Sequence, residues 1–285
     1  MNQKSKLLVL FFLSLLMVFS MISPSLSYAV AIDDKVSIIK IETDDGYKVG
    51  FGTPIISSNL DLSYTKKMKK IENSIEKVEG NTIEQKIILD STLSNFTIEV
   101  PLDLQNGEYI VLGKDDQGNS DGAAMIYNEQ NESIGILSAP ILGSDKNYKI
   151  VSVDTKSRDT LKFRLESDGL NESTNMLITL AATTYATYFS AGSWVYRGTE
   201  LSLRLTHKPY LFSGTTNDKI LKLSDSWGKV VSTHSGSSNW KNAAGLSDQY
   251  ACHYGYAPYE NPWHIEPWRP NVGMTQTIKD FCNPE

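Results

Sequence analysis

The chain predicts an α+β fold class: a β-rich, sandwich-like N-terminal module followed by a small disulfide-closed α+β domain. The first observation is a break in composition. All five tryptophans (Trp194, Trp227, Trp240, Trp263, Trp268), all four histidines (His207, His234, His253, His264) and both cysteines (Cys252, Cys282) lie beyond residue 190. The second is a change of period, from short β-prone runs before the break to mixed strand and helix patterns after it. The third is length, because 285 residues exceed what one small core needs. Together they divide the chain into 1–29, 30–188 and 189–285, with the junction between Ala182 and Ser190.

Residues 1–29 read as a secretory signal peptide. Lys4 and Lys6 supply the positive start, Leu7 to Ile22 the apolar core, and Ser27-Tyr-Ala29 a small-residue cleavage site, with Ala29-Val-Ala31 as an alternative two residues on. The apolar stretch is short and runs into Ser23-Pro-Ser-Leu-Ser, which favours cleavage over a retained anchor. The expectation is therefore a secreted, extracellular protein with no membrane span once the signal is gone. Loss of Lys4 and Lys6 takes the formal charge from -6 to -8, a balance that excludes nucleic acid as the expected partner. In an exported chain two cysteines favour one disulfide, Cys252 with Cys282, over a metal site; two buried thiols are the alternative. Such a bridge closes a loop of about 31 residues and stabilises the fold by roughly 3.5 to 4 kcal/mol.

In the N-terminal module, Lys86–Leu89, Phe96–Val100, Glu108–Leu112, Ala123–Tyr127, Ser133–Leu137, Tyr148–Val153 and Leu161–Leu165 are strand candidates. Turn clusters such as Gln105-Asn-Gly107 separate them. Met68, Ile71, Ile75 and Val78 recur at three and four residues, which predicts one amphipathic helix over 66–78. Gln117 to Gly122 resembles a calcium loop, but Gln117 and Asn128 stand where its strongest ligands belong, so a hairpin loop is expected. The order Phe96-Thr-Ile-Glu-Val-Pro-Leu, Gly107-Glu-Tyr-Ile-Val-Leu, Ala124-Met-Ile-Tyr, Ser133-Ile-Gly-Ile and Ala139-Pro140 resembles a β-rich module of secreted Gram-positive proteins. That resemblance implies a scaffold placed before a variable C-terminal domain.

Beyond the junction, Leu201, Leu203 and Leu205 alternate with Ser202 and Arg204 as in a half-buried strand over 199–206. Ile220, Leu223, Trp227 and Val230 follow at helical spacing, with Asn217 or Asp218 as cap. Leu246, Tyr250 and His253 predict a second helix, and Met274, Ile278 and Phe281 a third. Cys252 and Cys282 would then sit on two helices and pin them around the aromatic loop between.

That loop holds the candidate site residues. His253, Arg269, Glu266 and Asp248 are of the types hydrolysis needs: a histidine titrates near neutral pH, a carboxylate orients it or acts itself, and an arginine clamps an anion. No Gly-x-Ser-x-Gly elbow or other nucleophile motif accompanies them. Glu266 and Arg269 could equally pair with each other, and His253 could be a core histidine. Trp263, Trp268, Tyr256 and Tyr259, with His264, form the alternative, an aromatic platform for sugar or peptide. No H-E-x-x-H occurs, and His264-Ile-Glu266 lacks the P-C-x-x-C partner of the zinc deaminases, so neither a metal nor a cofactor is expected. Trp194-Val-Tyr-Arg197-Gly198 is similar to a motif of some ADP-ribosyltransferases, without their downstream pair of acids.

Trp194 with Arg197-Gly198, the helix around Trp227, Asp248-Gln-Tyr250-Ala-Cys252-His253, Trp263-His-Ile-Glu-Pro-Trp268-Arg269-Pro270, Val272-Gly273 and Cys282-Asn-Pro284 carry a more specific resemblance. From about residue 193 to 284 the chain resembles a C-terminal domain of unknown function found in secreted proteins of Gram-positive bacteria and mycobacteria. Several members carry Asn-Leu at the place of His264-Ile265, which moves weight from His264 to His253 and Arg269. Three functions stay open at this level. They are a binding or effector domain meeting a cell-envelope glycan or a protein partner, a secreted hydrolase or antibacterial toxin using His253 and Arg269, and a structural envelope protein.

Overall fold

Strand alternation is the main builder of the structure, a computed structural model that describes residues 28–31, 40–42, 48–58, 72–78, 81–89, 94–105, 107–143, 148–167 and 173–285. The strands of the first module begin with Tyr28–Ala31 (β1), Lys40–Glu42 (β2), Lys48–Phe51 (β3), Ile55–Ser58 (β4), Asn73–Lys77 (β5), Thr82–Leu89 (β6) and Asn95–Asp103 (β7). They continue with Tyr109–Leu112 (β8), Ala124–Tyr127 (β9), Ser133–Leu137 (β10), Ile141–Leu142 (β11), Tyr148–Ser157 (β12), Thr160–Ser167 (β13) and Thr174–Ala182 (β14).

These strands form two antiparallel sheets. One runs β1-β4-β7-β13-β12, with β3 also on β7 and β2 on β3; the other runs β5-β6-β14-β10-β9-β8, with β11 on β14. Along β7 every second side chain, Phe96, Ile98, Val100 and Leu102, points inward, and Leu161, Phe163 and Leu165 of β13 do the same. Ile83, Ile87 and Leu89 of β6 and Met176, Ile178 and Leu180 of β14 face them from the other sheet. The result is a sandwich core of alternating residues.

Strands β9 and β10 are buried on both faces. Ala124, Ile126, Ile134 and Leu137 belong to the sandwich core, whereas Met125 and Ile136 belong to a second core shared with the C-terminal domain. This is why both strands read as continuous apolar runs.

The expected helix over 66–78 is corrected where it is described: 73–77 is the edge strand β5, antiparallel to β6, with Ile75 its one buried residue. Pairing to β6 decides the conformation over the local three- and four-residue spacing. Residues 66–71 of that expectation lie outside the described residues. So do residues 1–27 of the signal; Tyr28–Ala31, which contains the expected cleavage points, pairs with β4. The loop over 117–122 joins β8 to β9 as a hairpin, organised by Asp115, whose carboxylate accepts from the Gln117 and Asn119 amides.

The C-terminal domain begins with a single helical turn, Tyr185–Tyr188 (α1), and a three-stranded antiparallel sheet of Phe189–Arg197 (β15), Glu200–His207 (β16) and Trp263–Ile265 (β17). Helices Thr216–His234 (α2), Ala243–Tyr256 (α3) and Met274–Lys279 (α4) complete it, with a short 3-10 turn at Pro209–Phe212. Among the described residues no helix is long and apolar enough to cross a membrane.

Helix α2 is capped by Thr215 in a capping box with Asp218, not by Asn217 or Asp218 themselves. Its buried face also departs from the apolar stripe: Ile220 is 43% exposed, while Asp218, Leu221, Lys222, Asp225, Ser226 and Val230 are buried. The reason is that α2 lies between the sandwich and α3, where Asp218, Lys222, Asp225 and Ser226 each find a partner. Phe281 is likewise exposed, and Cys282 falls past the end of α4 with positive φ, so the bridge joins a helix to the turn that follows another.

Candidate functional site

Helix α3 opens at Asn242, whose side chain accepts from the Gly245 amide and donates to the Arg269 carbonyl. Three residues on its inner side, Gln249, Tyr250 and His253, hold the aromatic loop. Gln249 acts as a two-sided clasp: its amide donates to the Glu266 carbonyl at 3.0 Å and its oxygen accepts from the Glu266 N–H at 2.8 Å. Cys252 is bonded to Cys282, with Cα atoms 5.4 Å apart. Strand β17 pairs with β16 so that Trp263 and Ile265 lie opposite Leu205 and Leu203 on the inner face.

Trp263 is therefore completely buried, its indole N–H donating to the Ala257 carbonyl. His207, Phe212, Tyr250 and His253 surround its ring. It is a core residue and not a platform, because strand parity and the β16 register turn it inward.

His253 is sealed beside it, only 4% exposed. Neither ring nitrogen has a well-formed hydrogen bond, and Nδ1 lies 3.5 Å from the Glu260 carboxylate. Burial pushes its pKa down to about 4, with the Glu266 charge acting in the other direction. A ring that is both sealed and held neutral does not exchange protons with a substrate, so the general acid–base role fails on access.

Glu266 is 2% exposed and receives the Nε–H of Arg269, with Arg197 at 3.5 Å. Arg269 donates through Nη1 to the Asn283 and Pro284 carbonyls, each at 3.0 Å, and stacks over Trp268. The arginine is thus a staple for the chain end, with one edge of its guanidinium committed to Glu266 and the last carbonyls. Asp248 sits half-exposed on α3. His264 is half-buried, its Nδ1 3.0 Å from the Ser202 hydroxyl; burial first, then Arg197, lowers its pKa. Trp194 to Gly198 is the end of β15 and a glycine turn.

The residues left facing solvent are the other aromatics. Tyr259 is 98% exposed, Tyr256 67% and Trp268 43%. Tyr259 stands at an apolar groove of about 630 Å³ whose walls include His207, Pro209, Phe212, Lys219 and Tyr254. Trp268 edges a separate depression of about 430 Å³ with Leu201, Asn239 and Lys241.

Sequence reasoning missed a buried polar network on α2. The Tyr188 hydroxyl donates to Asp225 at 2.5 Å, and Ser133 donates to the same carboxylate from the sandwich. Lys229 donates to the Ser133 carbonyl at 2.6 Å and lies 3.8 Å from Asp225. Lys222 donates to the Tyr210 and Ser213 carbonyls, and burial lowers its pKa to about 8. The signal was present: Asp218, Lys222, Asp225 and Lys229 follow one another at four, three and four residues with alternating sign. That pattern reads as a solvated charged face until the sandwich is known to cover it.

With this geometry in hand, residues 189–285 match the model of a family described as "Protein of unknown function (DUF2599)". The matched segment is the disulfide-closed α+β domain. Over 47 residues the chain is 38% identical to "Uncharacterized protein Rv0477" of Mycobacterium tuberculosis and, equally, to "Uncharacterized protein Mb0487" of Mycobacterium bovis. The match takes in 15% of this chain and 32% of each relative, so the chain spans about a third of the length of the curated relatives it matches. The buried disulfide is of the kind that persists in oxidising compartments.

Proposed function

We propose that the protein is exported and that its C-terminal domain is a binding or effector domain acting at a cell envelope or on a target cell, where it engages a glycan or a protein partner. The observation that carries this reading is Tyr259, 98% exposed at the rim of an apolar groove. An aromatic side chain with almost no contacts does nothing for the fold, yet it offers flat area with a polar tip to a partner. Tyr256 and the half-exposed Trp268 extend the same kind of surface. The sealed His253 and the self-paired Glu266 and Arg269 speak against hydrolysis through those residues.

The test is co-sedimentation of the oxidised mature protein with purified cell walls, and cross-linking to intact cells, for the parent and Tyr259→Ala. The substitution should leave stability within about 0.5 kcal/mol and weaken association roughly tenfold or more. Undiminished association of a folded Tyr259→Ala protein overturns the reading.

A further inference from the structure

A second cleft, separate from the Tyr259 groove, lies where the sandwich meets α1 and α2. It encloses about 860 Å³, within the range of small-ligand sites. Its lining is rich in hydroxyls: Ser133, Thr183, Thr184, Tyr185, Ser232 and Thr233 all contribute. Two features of its construction are not explained by packing, and a third sets its aromatic wall.

The first is Gly228, in the middle of α2 and on the cleft wall. A mid-helix glycine destabilises a helix relative to alanine. Here a Cβ would meet nothing within 4 Å, so no neighbour demands its absence. The position borders open space on the cleft wall.

The second is Thr183, 2% exposed, whose Oγ1 has no hydrogen-bond partner. Buried hydroxyls are normally paired. This one belongs to the cleft lining.

The third is Tyr185. Its hydroxyl lies 3.1 Å from His234 Nε2 and occupies space that any side chain at residue 192 would fill, a Cβ there falling 1.8 Å away. Gly192 thus holds the ring at the cleft, with Tyr127 as a second aromatic wall.

The lining carries one cation and one carboxylate: Lys229 faces Asp225 behind the wall and donates to the Ser133 carbonyl, and Glu132 accepts from the Asn128 side-chain amide. A phosphate or carboxylate ligand would find no uncommitted cation there. Hydroxyls that both donate and accept, beside flat aromatic faces, suit a neutral ligand dense in hydroxyl groups.

We propose that this intermodule cleft binds a neutral saccharide of one or two rings, with Thr183 and Tyr185 as hydrogen-bonding groups and Gly228 as the residue that keeps it open.

Amide NMR of the full mature protein tests this, with maltose and N,N′-diacetylchitobiose as probes and glucuronate as the charged comparison. At least one disaccharide should shift the Thr183, Thr184 and Gly228 resonances saturably, more strongly than glucuronate does. Gly228→Leu should abolish the shifts. Gly228→Ala should retain them and raise Tm by roughly 2 °C. Thr183→Val, which removes a hydroxyl without a structural partner, should leave Tm unchanged and weaken binding about tenfold, one hydrogen bond's worth. Tyr259→Ala should bind as the parent does, which separates this site from the groove. No saturable shift with either disaccharide, a stronger response to glucuronate, or full binding by Thr183→Val overturns the proposal.

Discussion

Between its sheets the sandwich buries Phe51, Ile98, Phe163, Ile178 and their neighbours, an apolar set drawn from alternate positions. Beneath α2 and α3 the C-terminal domain buries Lys222, Asp225, His253 and Glu266 as deeply as Trp263. The first core is stabilised by area removed from water, and Glu108, its pKa raised by burial, is the one carboxylate buried in that module among the described residues. The second holds several charges whose desolvation is offset only while each partner stays in place, so far more of its stability is conditional on pairing. The difference also bears on function, since Glu266 and Arg269 are committed to one another and His253 is sealed, whereas Tyr259, Tyr256 and Trp268 face solvent.

The largest effect that can break this contrast is loss of one partner in a buried pair. Glu266→Ala leaves Arg269, anchored to the Asn283 and Pro284 carbonyls, without its carboxylate. It should destabilise by about 3 to 5 kcal/mol. Ile178→Val in the sandwich should cost only about 1 kcal/mol. Urea unfolding followed by tryptophan emission compares them. A Glu266→Ala/Arg269→Ala double variant that costs less than the sum of its parts would show that the two act as a unit; additive losses would dissolve the pair as an explanation.

Next in size is the covalent tie. Replacing both Cys252 and Cys282 by alanine removes a constraint across 30 residues and should lower stability by roughly 3.5 to 4 kcal/mol on the chain-entropy account. All five tryptophans report on the C-terminal domain, so their emission should move to lower urea while the circular dichroism of the strands lags. A single coincident transition would instead mean that the shared core of Met125, Ile136, Tyr188 and Phe189 couples the modules into one folding unit.

What the sequence made legible follows the same division. Phe96, Ile98 and Val100 announce a strand because one face is apolar and the other is not, and the structure extends that strand to Leu102. Ile75 and Val78 misled because two residues three apart fit a helix as well as a strand edge, and only β6 arbitrates. On α2, alternating charges are the inward face, which cannot be read without knowing what covers it. The Cys252 to Cys282 bridge was legible from count and compartment. The direction of Trp263 was not, since a three-residue strand carries too little pattern to distinguish it from Trp268.

The smallest effect is set by pH and isolates His253. Its folded pKa of about 4 lies below the ordinary value of 6.5 because burial disfavours the charged ring. As pH falls the unfolded chain takes up the proton first, so stability present above about pH 6.5 is lost progressively toward pH 4, about 2 kcal/mol of it by pH 5. His207, His234 and His264 are lowered too, chiefly by burial, and add losses of the same sign. His253→Phe should keep the stack on Trp263, be tolerated at neutral pH and flatten the acid limb of a stability–pH curve. An unchanged limb would mean that His253 reaches solvent or gains Glu260 as a real partner, and the acid–base role denied to it on access would have to be reopened.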